Sequence, residues 1–246
     1  MDHLVRDPAL LAVPFFVLFI GLELVALRVL ETDTEAPPAG RRAPRVGYGR
    51  QDSVASLSMG VGSVVVNLGA RALALLGYAA LYAVTPLRLD PHDWWTWVLA
   101  LVLVDLLWYA YHRSSHRIRL LWAMHQAHHS SAHFNYTTAL RQKWNPWGEL
   151  LFLNTPSHHR VHHASDAEYL DRNYGGILIV WDRLFGTFRE EEHRPTYGLT
   201  HPVTTFNPFR LQYAELALMV RQVRAARRWR DRLGYLFAPP GWSPER

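Results

Sequence analysis

The run DLLWYAYHRSSHRIRLLWAMHQAHHSSAHFN, residues 105–135, decides how this chain is read, together with its echo NTPSHHRVHHA at 154–164. Ten of the fourteen histidines lie in these two stretches. They form three boxes: His112 with His116; His125 with His128 and His129; His159 with His162 and His163. Residues three and four apart on a helix share a face, so each box aims its imidazoles in one direction. Imidazole is a common ligand for zinc, copper and iron. One closed zinc site takes only about four ligands. Eight histidines in three boxes therefore predict a polynuclear, histidine-only site for two metals. Isolated histidines such as His3, His92 and His201 carry no such signal.

Other catalytic patterns are missing from the sequence. There is no H-E-x-x-H, no pair of Glu-x-x-His motifs, no G-x-S-x-G elbow and no G-x-G-x-x-G after a strand. Cysteine is absent, which excludes disulfides, thiolate metal sites and iron–sulfur clusters. With no flavin or nicotinamide fingerprint either, electrons for redox chemistry must come from a separate protein.

The boxes carry a family resemblance. Asp105 sits seven residues before His112. The run HHSSAHFNYTTALR and the block NTPSHHRVHH with YLDRNYGGILIVWDRLFGTF follow. Together they resemble the fatty acid hydroxylase/sterol desaturase superfamily, and the ending RRWRDRLGYLFAPPGW is similar to its bacterial members. The likeness runs over nearly the whole chain. It implies an all-α, integral membrane helical bundle with a cytoplasmic histidine-rich cap holding a di-metal site. The cofactors implied are two iron ions, cycling between Fe2+ and Fe3+, with O2 as co-substrate. The activity implied is hydroxylation or desaturation of a lipid C–H bond (fatty acyl, sterol or alkyl lipid); the sequence does not separate the two.

By the same likeness His112, His116, His125, His128, His129, His159, His162 and His163 are the metal ligands, with His133 and His158 as adjacent outer candidates. Asp105 lies about two helical turns before His112 and reads as an acceptor behind the ligands or a buried ion-pair partner. Asp166, Glu168, Asp171 and Asn173 follow the last box closely. Asp171 and Asn173 head the candidates for fixing the ligands' outer nitrogens, against ordinary capping and turn duty before Gly175 and Gly176. His193, after three glutamates, is a minor candidate ligand.

The chain departs from the family at 141–153. Members usually carry a hydrophobic helical hairpin between the TALR and NTPSHH segments, and here WNPWGEL bridges that gap almost directly. A hairpin crosses a bilayer twice, so its loss keeps both histidine segments on one side.

Apolar runs at 9–30, 54–87 and 94–111 are the expected spans of a single membrane domain covering 1–246, with the metal-binding cap at 112–246. A span needs about 20 apolar residues. The start MDHLVRD does not read as a signal peptide. Glu23 lies inside the first run, where a pairing with Arg71 is one reading. Residues 31–52, with three prolines and four arginines, read as a loop. Trp94, Trp95 and Trp97 read as an interfacial aromatic belt. The formal net charge of +5 is carried almost wholly by arginine, Lys143 being the one lysine. Arginines flanking the spans fit the positive-inside rule and contact with anionic lipid, so nucleic acid is not an expected partner. Residues 177–188 read as a packed helix. Residues 209–233 read as one amphipathic, arginine-rich helix, at a membrane interface or as a solvated face.

The composite expectation is an oxidoreductase of the bacterial inner membrane, boxes on the cytoplasmic side. Its partners are a lipid substrate, the membrane, an electron-donor protein and, as a weaker reading, a second copy of itself. Two rivals stand beside it. One is a metal-binding member catalytically impaired by the shortened middle. The other is a zinc hydrolase, which needs a glutamate general base that no box contains.

Overall fold

The computed structural model describes residues 8–30, 47–139 and 154–244. The expected loop at 31–46 and the shortened stretch at 140–153 lie outside the described residues. Runs of Leu, Val, Ala and Gly with few charges give three long helices: α1 (Pro8–Leu30), α2 (Arg50–Val84) and α3 (Trp94–Arg117). The run expected as a span at 54–87 is helical as far as Val84.

With about 1.5 Å of rise per residue, the 24 residues of α3 reach about 36 Å. Among the described residues α3 is the one helix long and apolar enough, by length and composition, to cross a membrane. Its polarity is inverted relative to a water-soluble helix. Asp105, Tyr109, His112 and Ser115 form the buried stripe. Val104, Leu107 and Tyr111 point outward and are exposed.

Glu23, on α1, is partnered across the fold. Its carboxylate accepts hydrogen bonds from the Tyr48 hydroxyl and from the Tyr136 backbone N–H, the latter at 2.8 Å. Phe19 stacks on Tyr136, with ring centroids 5.5 Å apart. The carboxylate therefore ties α1 to the short helix α5 (Tyr136–Ala139). Arg71's side chain lies outside the described residues. Asn135 starts α5 by accepting the N–H groups of Thr137 and Thr138.

Between α3 and α4 (Arg119–His129) a single residue, Ile118, leaves helical geometry at φ −117° and ψ 116°. That break lets α4 fold back against α3, bringing the second histidine box onto the first. The side chain of Arg119, buried at the turn, donates to Glu215 at 2.9 Å. Glu215 lies on α8 (Pro208–Ala225). The expected single helix over 209–233 is in fact two, because Ala226 takes an extended ψ of 127°. The second piece, α9 (Trp229–Phe237), packs on α8 and α4.

The third box sits on α6 (Pro156–His162), a helix too short to stand by propensity alone. A reciprocal capping box starts it: Thr155 accepts the His158 N–H, and the Thr155 N–H donates to the His158 ring at 3.2 Å. Residues 163–179 then return across α3 before α7 (Val180–Leu184), which is shorter than the helix expected at 177–188. Among the described residues there is no strand, and Ala164 and Tyr197 form an isolated antiparallel bridge.

Two carboxylates fix that return. Asp182 accepts the backbone N–H groups of Tyr174 at 2.8 Å and Gly175 at 2.7 Å, plus the Thr187 hydroxyl at 2.6 Å. Asp105 accepts those of Ile177 at 2.7 Å and Leu178 at 3.0 Å, plus the Trp181 indole at 2.9 Å. Between them Gly176 passes so close to α3 that a Cβ there would lie 2.6 Å from Trp108 Cδ1 and 2.9 Å from Asp105 Oδ1. Gly176→Ala must push α3 and the return segment apart. The expected cost is about 1–3 kcal/mol, the range of overpacked cores, read as a lowered thermal midpoint of the purified protein. An unchanged midpoint would show that the two segments are not in register here.

Candidate metal centre

The three boxes converge. His112, His116, His125, His129 and His162 each offer a ring nitrogen, and these five atoms all lie within 4.8 Å of one another. His128, His129 and His163 form a second such group, and His129 belongs to both. The eighth predicted ligand, His159, stands outside both groups but packs against the second, its ring centroid 4.6 Å from that of His163.

What the nitrogens do not bond is as informative. The Nε2 atoms of His112, His116, His159, His162 and His163 are buried without a hydrogen-bond partner. A buried unpaired acceptor costs about 1–3 kcal/mol, so five of them within or beside the two groups are not explained by packing. His125 and His129 bring their Nε2 atoms to 3.2 Å. Lone pairs aimed at a common point are what a cation requires, so this donor set fits a metal centre.

Electrostatics keep those lone pairs free. Burial pushes His125 and His159 from the ordinary 6.5 down to about 3, helped by the neighbouring His112. His129, His162 and His163 fall well below their ordinary value, through burial first and then mutual repulsion within the imidazole cluster. Imidazoles in such a cluster stay neutral, and neutral imidazole is the form that ligates.

Backbone carbonyls fix the outer nitrogens of two ligands. His112 Nδ1 pairs with the Tyr174 carbonyl at 2.8 Å, and His162 Nδ1 with the Arg172 carbonyl at 2.9 Å. A carbonyl only accepts, so each Nδ1 carries the proton and each Nε2 turns a lone pair inward. These carbonyls flank Asn173, which with Asp171 adopts left-handed backbone (φ 55° and 59°).

The residues expected behind the ligands fall as follows. Asp105 touches no imidazole nitrogen at hydrogen-bond distance. It holds the return segment whose carbonyls do. Asn173 acts likewise: its side chain bonds the carbonyls of His158 and Arg189 and accepts the Arg189 N–H at 2.8 Å. Asp171 comes nearest the expected role, 3.9 Å from His116 Nδ1 and 3.5 Å from Arg117 Nε, while accepting the Tyr174 hydroxyl at 3.1 Å. Asp166 accepts the Thr196 N–H, and Glu168 pairs with His193 at 3.5 Å. His193 also meets the Tyr169 hydroxyl, away from the cluster. His158 caps α6, and the His133 ring faces Asp52.

Sequence reasoning missed the walls. Trp122 lies 5.1 Å from the His116 ring and 5.6 Å from that of His129. Tyr174 packs within 5.2–5.8 Å of His112, His116 and His162. The run DRNYGG held a signal for the second, since Asp and Asn tolerate left-handed backbone and Gly allows close approach.

The chain matches the family described as fatty acid hydroxylase in two pieces, residues 97–147 and 142–187. It is similar to the alkylglycerol monooxygenase of Homo sapiens, 34% identical over 278 aligned positions that take in 95% of this chain and 59% of that protein. It is similar to the Xenopus tropicalis protein of the same name, 36% identical over 238 positions, 78% of this chain and 53% of that one. The Caenorhabditis elegans protein is 30% identical over 253 positions, 80% of this chain and 50% of that one. The chain thus spans only 50–59% of the length of these curated relatives. The human alignment exceeds the chain's 246 residues by 32 positions, so that relative carries residues with no counterpart here. The family match breaks at 142–147, inside the stretch that reads as shortened. No solved structure matches the chain. Because the family match runs through all three boxes and the return segment that orients them, the chain belongs to the fatty acid hydroxylase superfamily.

Proposed function

We propose that this chain is a membrane-bound, iron-dependent monooxygenase that inserts one oxygen atom of O2 into a C–H bond of an alkylglycerol-class lipid. The observation that carries the proposal is the convergence of ring nitrogens from all three boxes, in which the Nε2 atoms of the first and third boxes are buried without a partner. Two overlapping nitrogen groups sharing His129 support two metal positions rather than one. The eight histidines are the ligands proposed, His159 as the outermost. A pair of ferrous ions there supplies electrons and the oxidising power to break an unactivated C–H bond, which zinc lacks. The overall balance is lipid–H plus O2, two electrons and two protons giving lipid–OH plus water. The electrons come from a separate donor protein, since the chain has no thiolate and no nucleotide-binding fingerprint.

The chain's own residues do three things. Neutral imidazoles leave the metals their full charge, and the Arg172 and Tyr174 carbonyls lock His162 and His112 in the ligating tautomer. Trp122 and Tyr174 border the cluster with ring faces, limiting water around it. The third contribution is depth. His112 lies 18 residues, about 27 Å along the axis, from Trp94, close to the hydrocarbon thickness of about 30 Å. With α3 read as a span, the cluster sits at the membrane boundary, within reach of a lipid that need not leave the bilayer. Oxygen insertion is favoured over desaturation because the relatives are named monooxygenases. We place the boxes on the cytoplasmic face, from the arginines beyond Tyr111.

Purification in detergent from iron-replete cells, followed by metal analysis and oxygen uptake with reductant, tests the proposal. The expected result is about two irons per chain and uptake that rises with an alkylglycerol and yields its hydroxylated product. Bound iron with no lipid-dependent uptake would favour the catalytically impaired reading, which the break in the family match at 142–147 motivates.

The shared ligand orders the variants. His129→Ala removes a donor from both groups and is expected to lose most of the iron. His159→Ala, outside both groups, is expected to retain more of it, and equal loss would contradict two positions sharing His129. Metal-free protein should also be acid-sensitive. Between about pH 6.5 and 3 an unfolded chain protonates imidazoles that the folded chain keeps neutral. Unfolded protein therefore binds more protons, and stability falls as pH drops through that window. The thermal midpoint of metal-free protein is expected to be lower at about pH 5 than at about pH 7.5, where unfolded imidazole is mostly neutral. A midpoint that rises on acidification would refute the neutral cluster.

A further inference from the structure

We infer that the end of α8 and the whole of α9 form a docking surface for anionic phospholipid headgroups, separate from any substrate site. The first observation is charge. Residues 221–232 carry six arginines against the single acid Asp231, a local balance of +5 that equals the formal charge of the whole chain. The other 234 residues sum to zero. All six (Arg221, Arg224, Arg227, Arg228, Arg230 and Arg232) are exposed. Among the described residues, the ion pairs involve other arginines: Arg117, Arg119, Arg160 and Arg189.

The second observation separates lipid from a soluble acidic partner. Trp229, Leu233 and Phe237 lie four apart, on one stripe of α9, and are 65%, 44% and 55% exposed. The Arg230 guanidinium lies 5.7 Å from the Trp229 ring centroid. An apolar aromatic stripe bordered by arginines is the composition of an interfacial helix, which seats rings at the acyl boundary and cations at the phosphates. Docking to an acidic protein uses the charges but leaves the stripe unexplained.

The third observation is place. The backbone N–H of Arg119, two residues past the end of α3, donates to the Ala238 carbonyl at 3.1 Å, and Arg119 Nε holds Glu215 on α8. The strip is therefore fastened to the point where the candidate span ends, the depth at which headgroups lie. The inference rests on α3 as a span, not on the metal chemistry. It gives the second histidine box, on α4, a fixed standing relative to the membrane surface.

The absence of cysteine makes the test direct, because Trp229→Cys or Phe237→Cys introduces the one thiol of the chain. Each full-length variant is spin-labelled and placed in nanodiscs of phosphatidylcholine with or without phosphatidylglycerol. Collision rates are read with oxygen, which favours lipid, and with a nickel chelate, which favours water. The expected result is that both labels shift toward oxygen when phosphatidylglycerol is present, and that changing the six arginines to glutamine removes the shift. Each arginine lost is expected to weaken partition onto the anionic surface about fivefold. The Phe237 label keeps the test valid where loss of the Trp229 ring itself weakens seating. Labels equally open to nickel in both lipids would overturn the inference. So would protection that appears only on adding an acidic ferredoxin, which would assign the strip to protein docking. Iron content, measured on the same samples, reports the fate of the metal proposal separately.

Discussion

Asp105 and Asp182 grip the backbone between them, and the metal-ready cluster depends on that grip. Asp182 takes the N–H groups of residues 174 and 175, and Asp105 takes those of 177 and 178. With those donors occupied, the carbonyls of Arg172 and Tyr174 in the same segment meet His162 and His112. Hydrogen bonds to ionised groups are worth about 1.5–3 kcal/mol each, so the two carboxylates outweigh the left-handed backbone at Asp171 and Asn173. Burial pushes the Asp182 carboxyl above its ordinary range, a rise that the hydrogen bonds from Thr187, Tyr174 and Gly175 offset only in part.

This arrangement also settles where polarity goes. Among the described residues the buried polar side chains outnumber the buried apolar ones, while Leu, Val, Phe and Trp line the outer faces of α1, α2 and α3. A water-soluble chain built this way would lose hydrophobic stabilisation at its surface and gain little inside. In the proposed membrane setting the same chain would keep its apolar groups in a matching medium. A histidine cluster suits such an interior, because the burial that strips imidazoles of protons also readies them to ligate.

Much of the site was legible because helical spacing is a local property. The i, i+3, i+4 pattern within each box put its histidines on one face, and His129 and His162 duly appear buried in the cluster. Asp105, seven residues before His112, shares the buried stripe of α3 with it. Its task was not legible, since its partners are backbone groups more than 70 residues away. Asn173 misled for a similar reason: a side chain near ligands in sequence bonds the carbonyls of His158 and Arg189. The split of 209–233 into two helices also escaped, because Ala226 carries no helix-breaking chemistry and turns only where α9 folds back onto α4.

The sequence by itself determined the donor type, the three box spacings and the apolar runs. Each follows from a periodicity or composition within a few turns of chain. Only the tertiary structure decided which nitrogens share a volume, that His129 belongs to both groups while His159 stands outside them, and that carbonyls rather than carboxylates hold the outer nitrogens of His112 and His162. Those outcomes depend on contacts between residues tens of positions apart. They were set by the one-residue break at Ile118 and by two buried acids gripping one return segment, and neither leaves a period in the sequence.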